Sequence, residues 1–240
     1  MAASRENLYK AHVKNLRAVE VSFERIMREL NDCLARGDDK TADALTKTTM
    51  LLLGAWAENR LRKLAFEPNG FSEHEREMVG AATSQIDSWK KAIEIGFRKR
   101  YHVPRADLNT SLPVTARSHY QTLIVILDDN LKPIIEIRNK LAHGQWSRTL
   151  NNANDDFSQE MMSRISTENA LTVKFKKRLL NYLAQLIQDL VAGNAAFERD
   201  FDLHFTNLEH AKRDIDNRPY SSWLMSMQKK YQSGRKARTR

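Results

Sequence analysis

The chain has 240 residues, 41% of them apolar and 29% charged, enough for one sizeable globular core or two small ones. A single cysteine, Cys33, excludes an internal disulfide and a cysteine metal cluster. The 7 histidines show neither H-E-x-x-H nor cysteine pairing at zinc spacing, so no metal site and no cofactor are expected.

Only 8 Gly and 5 Pro interrupt the chain, which favours long helices over many short strands. The first ten residues, MAASRENLYK, lack the apolar core of a signal peptide. The longest apolar runs, such as LIVIL at 123–127, are too short to span a bilayer. A cytoplasmic protein with no membrane partner is the expectation.

In chain order, residues 5–36 form the first predicted helix. Val13, Leu16, Val19, Phe23, Ile26 and Leu30 recur three or four apart, and Leu8 extends the pattern upstream. Gly37-Asp38-Asp39 ends it, and Asp39 or Thr41 can cap the next helix, which runs to about Phe66. Pro68-Asn69-Gly70 is a turn. Ser72-x-x-Glu75 matches a capping box, and the helix it opens carries Val79, Ala82, Ile86, Trp89, Ile93 and Phe97 as far as Tyr101.

Residues 102–116, with Pro104 and Pro113, read as a loop. LIVIL fits a helix or a short buried strand; helix is preferred because nothing nearby supplies a partner strand. Asp128-Asp129-Asn130 reads as a break or cap, with Pro133 in the first turn of the next helix. Residues 147–165 are polar and loop-like. A long amphipathic helix follows through Leu171, Phe175, Leu179, Leu183, Ile187 and Leu190, and 194–217 continues as helix. The expected architecture is all-α, an up-and-down bundle of about five to six helices in one domain over residues 1–220.

The formal net charge is +9, and +6 of it lies after Met225 in Lys229, Lys230, Arg235, Lys236, Arg238 and Arg240, with no acid. Residues 221–240 are therefore expected to be a basic, disordered tail. Such a tail attracts nucleic acid or is simply a solvated end.

The chemistry-bearing stretch is EIRNKLAHGQW, from Glu136 to Trp146. A helix carries Arg138, Asn139, Lys140 and His143, and stops at Gly144, which suits the left-handed position past a helix end. The bare spacing is weak: 22 Arg and 7 His give on the order of 0.6 chance instances of Arg-x4-His. Arg199 and His204 share it, but acids thread that second copy, whereas the first is cationic.

These groups suit RNA cleavage. RNA brings its own nucleophile, the ribose 2′-hydroxyl. Histidine moves protons near neutral pH, arginine offers a rigid fork to phosphate, and asparagine can bond a ribose or fix an imidazole tautomer. On an ideal helix Asn139 and His143 share a face, while Arg138 lies about 140° from His143. A distorted last turn, a wrapped arginine, or two such helices facing each other in a dimer would reconcile them. The plain alternative pairs Arg138 with an acid on a neighbouring helix and sets His143 against the helix C-terminus.

RNKLAHGQW resembles the R-N-x-x-x-H signature of HEPN-domain proteins. The similarity extends over about residues 40–195, in the order of LLLGAWAENRLRKLAF (51–66), the motif helix, the polar loop and the terminal helix. It implies a metal-independent endoribonuclease acting as a symmetric dimer with facing motifs. Arg138 and His143 would be catalytic, Asn139 would position them or the RNA, and Lys140 would line the cleft. Glu58 matches a supporting acid on an earlier helix, although its spacing is not rigid and it can equally pair with Arg62 at i+4. Some relatives place a Tyr two residues after the His; this chain has Gln145, then Trp146. Trp146 reads as a base-stacking group or a core plug. A toxin or antiviral setting would require a neutralising protein or a silent resting state. The rival classes are a nucleic-acid or nucleotide binding module without catalysis and a helical protein-interaction module.

Overall fold

A computed structural model describes residues 3–193, 195–217 and 219–238, with side chains to residue 234. The protein is all-α, with no strand among the described residues. Helix α1 (Arg5–Arg36) and helix α2 (Asp39–Phe66) form an antiparallel hairpin ending at the residues the apolar spacing and Gly37 predict. Gly37 closes α1 at φ 78°. The cap of α2 is Asp38, whose carboxylate accepts from the Thr41 amide, rather than Asp39 or Thr41. The open end of the hairpin is tied at Glu67. Its carbonyl accepts from Arg5 at 2.7 Å and its carboxylate from Tyr9 at 3.1 Å. Leu16, Phe23 and Leu30 bury the α1 stripe, while Val13 is exposed.

Helix α3 (Glu73–Gly80) opens on the expected capping box. It does not run to Tyr101: residues 81–84 break it, and α4 (Gln85–Arg100) starts anew. The Ser84 hydroxyl accepts from the Asp87 amide, and the Thr83 and Ser84 hydroxyls both donate to the Asp87 carboxylate. This local network competes with the helical ladder and wins.

After α5 (Leu108–Ser111), α6 (Val114–Ile126) holds most of LIVIL as helix. The expected break at Asp128-Asp129-Asn130 is instead a π-helical turn, Leu127–Leu131, leading into α7 (Lys132–Ala142). Buried Leu127 and Leu131 keep the segment helical. Pro133 lacks an N–H and its ring would crowd the Asp129 carbonyl in an α-helix; the wider turn accommodates it.

The polar loop is shorter than expected, because Met161 and Ile165 seat α8 (Gln159–Thr167) on the core. Helices α9 (Ala170–Ala192) and α10 (Ala196–Asn217) follow, and residue 194 lies outside the described residues. The last helix, α11 (Tyr220–Arg238), corrects the expectation of a disordered tail. Trp223, Leu224 and Met227 pack on Leu30, Cys33, Leu34, Ala42 and Ala170, and Gln228 donates to the Leu34 carbonyl at 3.0 Å. Covering that apolar end compensates for the entropy of ordering the segment. Arg240 lies outside the described residues. Among the described residues, the eleven α-helical segments exceed the expected five to six because short helices replace assumed loops and one assumed helix is split.

One buried cluster joins α1, α2, α4, α6, α7, α9 and α10. No helix among the described residues is long and apolar enough to cross a membrane.

His119 on α6 gives this core a pH dependence. Its ring stacks on Phe201 of α10 at 3.6 Å, and its Nδ1 is buried without a hydrogen-bond partner. Burial pushes its pKa below the ordinary value, against a smaller opposing pull from Asp202 and Glu198. The unfolded chain then binds the proton first as pH falls, so this stability is complete above about pH 6.5 and declines below it. The melting temperature is expected to drop between pH 7.5 and 5.5, and to drop less in His119→Phe. Equal slopes for the two proteins would rule out His119 as the cause.

Candidate functional site

The motif helix α7 lies against α2, and Gly54 sets their separation. A Cβ on Gly54 would stand 2.4 Å from Cβ and 2.5 Å from Cγ of Arg138. The arginine stem therefore lies directly on the α2 backbone, and its guanidinium emerges beside Glu58, one turn further along α2. One Arg138 nitrogen, Nη2, donates to Glu58 Oε2; the other, Nη1, donates to Asn139 Oδ1 at 3.0 Å. The second Glu58 oxygen accepts from Arg62 at 2.5 Å. Glu58 thus makes both pairings that its sequence position allowed, the i+4 contact and the contact with the motif. Arg138 and Glu58 are each about three-quarters buried, with side chains 24% and 29% exposed. That fixes the direction of the guanidinium while leaving part of it open.

The other end of α7 closes in a Schellman arrangement. The Gly144 amide donates to the Leu141 carbonyl at 3.1 Å and the Gln145 amide to the Lys140 carbonyl at 3.0 Å, with Gly144 at φ 77°. His143 is the residue on which the helix ends, and its side chain is exposed. Lys140 donates to the Leu150 carbonyl at 2.6 Å, and Gln145 accepts from the Leu150 amide at 2.8 Å, so the following loop is pinned back onto the helix end. Trp146 is not a core plug. It is 36% exposed, and its indole N–H donates to the Leu141 carbonyl at 2.8 Å, which holds the ring at the helix end with one part in solvent.

Two clefts flank the motif. The first, about 1070 Å³, includes Glu58, Arg62, Arg138 and Asn139. The second, about 750 Å³, includes Asn139, Lys140, His143, Gln145 and Arg164. Asn139 lies on the ridge between them and lines both. Arg138 and Glu58 are brought together in the first cleft, while His143 faces the second. A single chain therefore does not gather the three motif side chains at one point, as the helical angle foretold. Glu136 pairs with Arg164 at 2.8 Å across the second cleft and is removed as a free acid beside the motif.

The second Arg-x4-His copy differs throughout. Arg199 is bound by adjacent Asp200 at 2.6 Å, and His204 sits 3.7 Å from Asp189 on α9. Both of its groups are tied to acids, which repel phosphate.

Sequence reasoning missed the far wall of the first cleft, where α1 and α3 contribute Arg5, His12 and Arg76. Nothing in their local patterns sets them apart; they meet the motif only because the α1–α2 hairpin brings them there. Comparison with protein-family models, with curated proteins and with solved structures returned no match to this chain.

Proposed function

We propose that this chain is an endoribonuclease of the HEPN type, working without a metal ion as a symmetric, up-and-down helical dimer whose motif helices face each other. The observation that supports it most is the placement of Arg138. It is held by Glu58 and Asn139 in the first cleft, and Asn139, which lines both clefts, stands one helical turn from the exposed imidazole of His143. The Arg138–Glu58 pair and a histidine at the helix end also suit the plain structural alternative; the bond from the second guanidinium nitrogen to Asn139 is the contact that alternative does not call for.

In this reading the ribose 2′-oxygen bonds to phosphorus as the bond from phosphorus to the 5′-oxygen breaks. His143 transfers the protons, taking one from the 2′-hydroxyl or giving one to the departing 5′-oxygen. Arg138 stabilises the charge that builds on the phosphoryl oxygens. Asn139 positions the ribose or the imidazole, Lys140 adds positive charge, and Trp146 offers a face to a base. Glu58 is a positioning residue acting through Arg138. The products are a 2′,3′-cyclic phosphate and a 5′-hydroxyl, so atoms balance without a water or a cofactor. A growth-arresting or antiviral setting, with a neutralising partner, fits such an activity.

One observation favours the rival reading, a binding module that does not cut: Arg138 and His143 line different clefts in one chain. The deciding experiment is cleavage of a mixed-sequence, end-labelled RNA in EDTA by wild type, Arg138→Ala, His143→Ala and the control Arg199→Ala. Wild type and Arg199→Ala are expected to cut and the other two to fail. Equal activity in all four would place the activity elsewhere. Binding without cutting by wild type would establish the rival.

A further inference from the structure

The cleft holding Arg138 and Asn139 extends between α1, α2 and α3 over an apolar floor that includes Leu8, Leu61, Phe66 and Val79. Its charges are unevenly answered. Arg62 and Arg138 share the single carboxylate of Glu58. Arg5 donates to the Glu67 carbonyl at 2.7 Å and Arg76 to the Phe71 carbonyl at 3.3 Å, bonds that leave their charge in place. The other lining acids, Glu73 and Glu77, sit exposed at the α3 rim, and Glu77 lies 3.8 Å from His74. Four arginines against three glutamates leave the lining at +1, and the rim acids are the ones that water and salt screen.

The floor also carries flat groups in a layer. The Phe66 ring has the Arg76 guanidinium 5.2 Å from its centroid and the His12 ring at 4.9 Å, tilted by 32°. The Nδ1 of His12 is buried with no hydrogen-bond partner. Burial first, and the Arg62 charge second, push this imidazole below its ordinary pKa, so it is neutral at pH 7. A neutral imidazole can stack on a base. A guanidinium fork beside it matches the two free oxygens of a phosphodiester.

We propose that this cleft binds single-stranded RNA, with one unstacked base against the His12–Phe66–Arg76 layer and the neighbouring phosphodiester on Arg62 and Arg138. Bases inside an A-form duplex are stacked away and cannot reach the layer, so the site discriminates against paired RNA. This rests on the nuclease reading for the identity of the polymer, but not for the geometry of the cleft.

The test is fluorescence anisotropy at low salt with a fluorescein-labelled, 2′-O-methyl oligoribonucleotide of about ten nucleotides, which cannot be cut, and with the same strand paired to its complement. The single strand is expected to bind at least about tenfold tighter than the duplex, and His12→Ala and Arg76→Ala to weaken it by about fivefold to a hundredfold. Arg199→Ala is expected to bind as wild type does. His12→Phe, which keeps a ring on Phe66, guards against a folding artefact and is expected to retain most of the affinity. Loss of affinity in His12→Phe at an unchanged melting temperature overturns the stacking role. Equal affinity for duplex, absence of binding, or indifference to His12 and Arg76 overturns the cleft, even if Arg138→Ala abolishes cleavage. Selective single-strand binding by a wild type that never cuts keeps the cleft and removes the nuclease.

Discussion

Arg138→Ala is expected to lower RNA cleavage by about 100- to 1000-fold, and His143→Ala by a similar factor, because in the proposed mechanism the arginine supplies charge to the phosphoryl oxygens and the histidine carries a proton. The two inactive proteins, once mixed and allowed to exchange subunits, are expected to recover roughly a quarter of wild-type activity. Half of the dimers would be mixed, and each mixed dimer would contain one of two composite sites intact. The expectation rests on the proposed facing dimer: Arg138 lines the first cleft and His143 the second, so the proposed site would combine the arginine of one protomer with the histidine of the other. Subunit exchange is checked with two differently labelled chains, and cleavage is read under single-turnover conditions. Proven exchange without recovery would mean that the site lies within one chain or needs both copies of each group.

Gly54→Ala is expected to destabilise the protein by about 1–3 kcal/mol and to reduce cleavage as well. In an ordinary helix the exchange would stabilise by about 1 kcal/mol, since glycine is a poor helix former. Here the new Cβ would meet the Arg138 stem at 2.4 and 2.5 Å, where carbon atoms require about 3.5–4.0 Å. The atoms it meets are next to the α7 backbone, not the flexible end of a side chain, so α2 and α7 must separate. That separation draws Arg138 away from Glu58. Gly80→Ala is the comparison: a Cβ there meets nothing within 4 Å, and no loss is expected. Equal melting temperatures for Gly54→Ala and wild type would show that the helices are not in this close contact.

What the sequence reveals and what it hides can be traced to individual residues. The ends of α1 and α2 are legible because Gly37 and the Pro68-Asn69-Gly70 turn act locally. The break before α4 is not, because Val79, Ala82 and Ile86 stay in helical phase across Gly80, and a lone glycine inside a helical pattern is tolerated. The local signs are Gly80 and a Ser84-x-x-Asp87 cap, weaker together than the hydrophobic pattern that overrides them in a reading by period. The α11 helix is masked by composition: six cations after Met225 outweigh Trp223, Leu224 and Met227, although those three cover the end of the α1–α2 hairpin. In the candidate site, Arg138, Asn139, Glu58 and His143 stand out by residue type and spacing. Gly54 and His12 do not, since each owes its place to a contact between distant segments.

The π turn at Leu127–Leu131 has a consequence for how the motif is aimed. The Lys132 amide reaches back to the Leu127 carbonyl, one residue further than in an α-helix, so the azimuth of every later side chain is displaced by about 100° relative to α6. With that displacement, Ile134, Ile137 and Leu141 point into the core, and Arg138 falls on Gly54. Deleting one residue from Asp128 to Asn130 would leave a more regular helix and an intact RNKLAH, yet swing Arg138 off the α2 backbone. The direction in which the motif points is thus encoded upstream of the motif, in a one-residue surplus that behaves like an offset tooth in a gear.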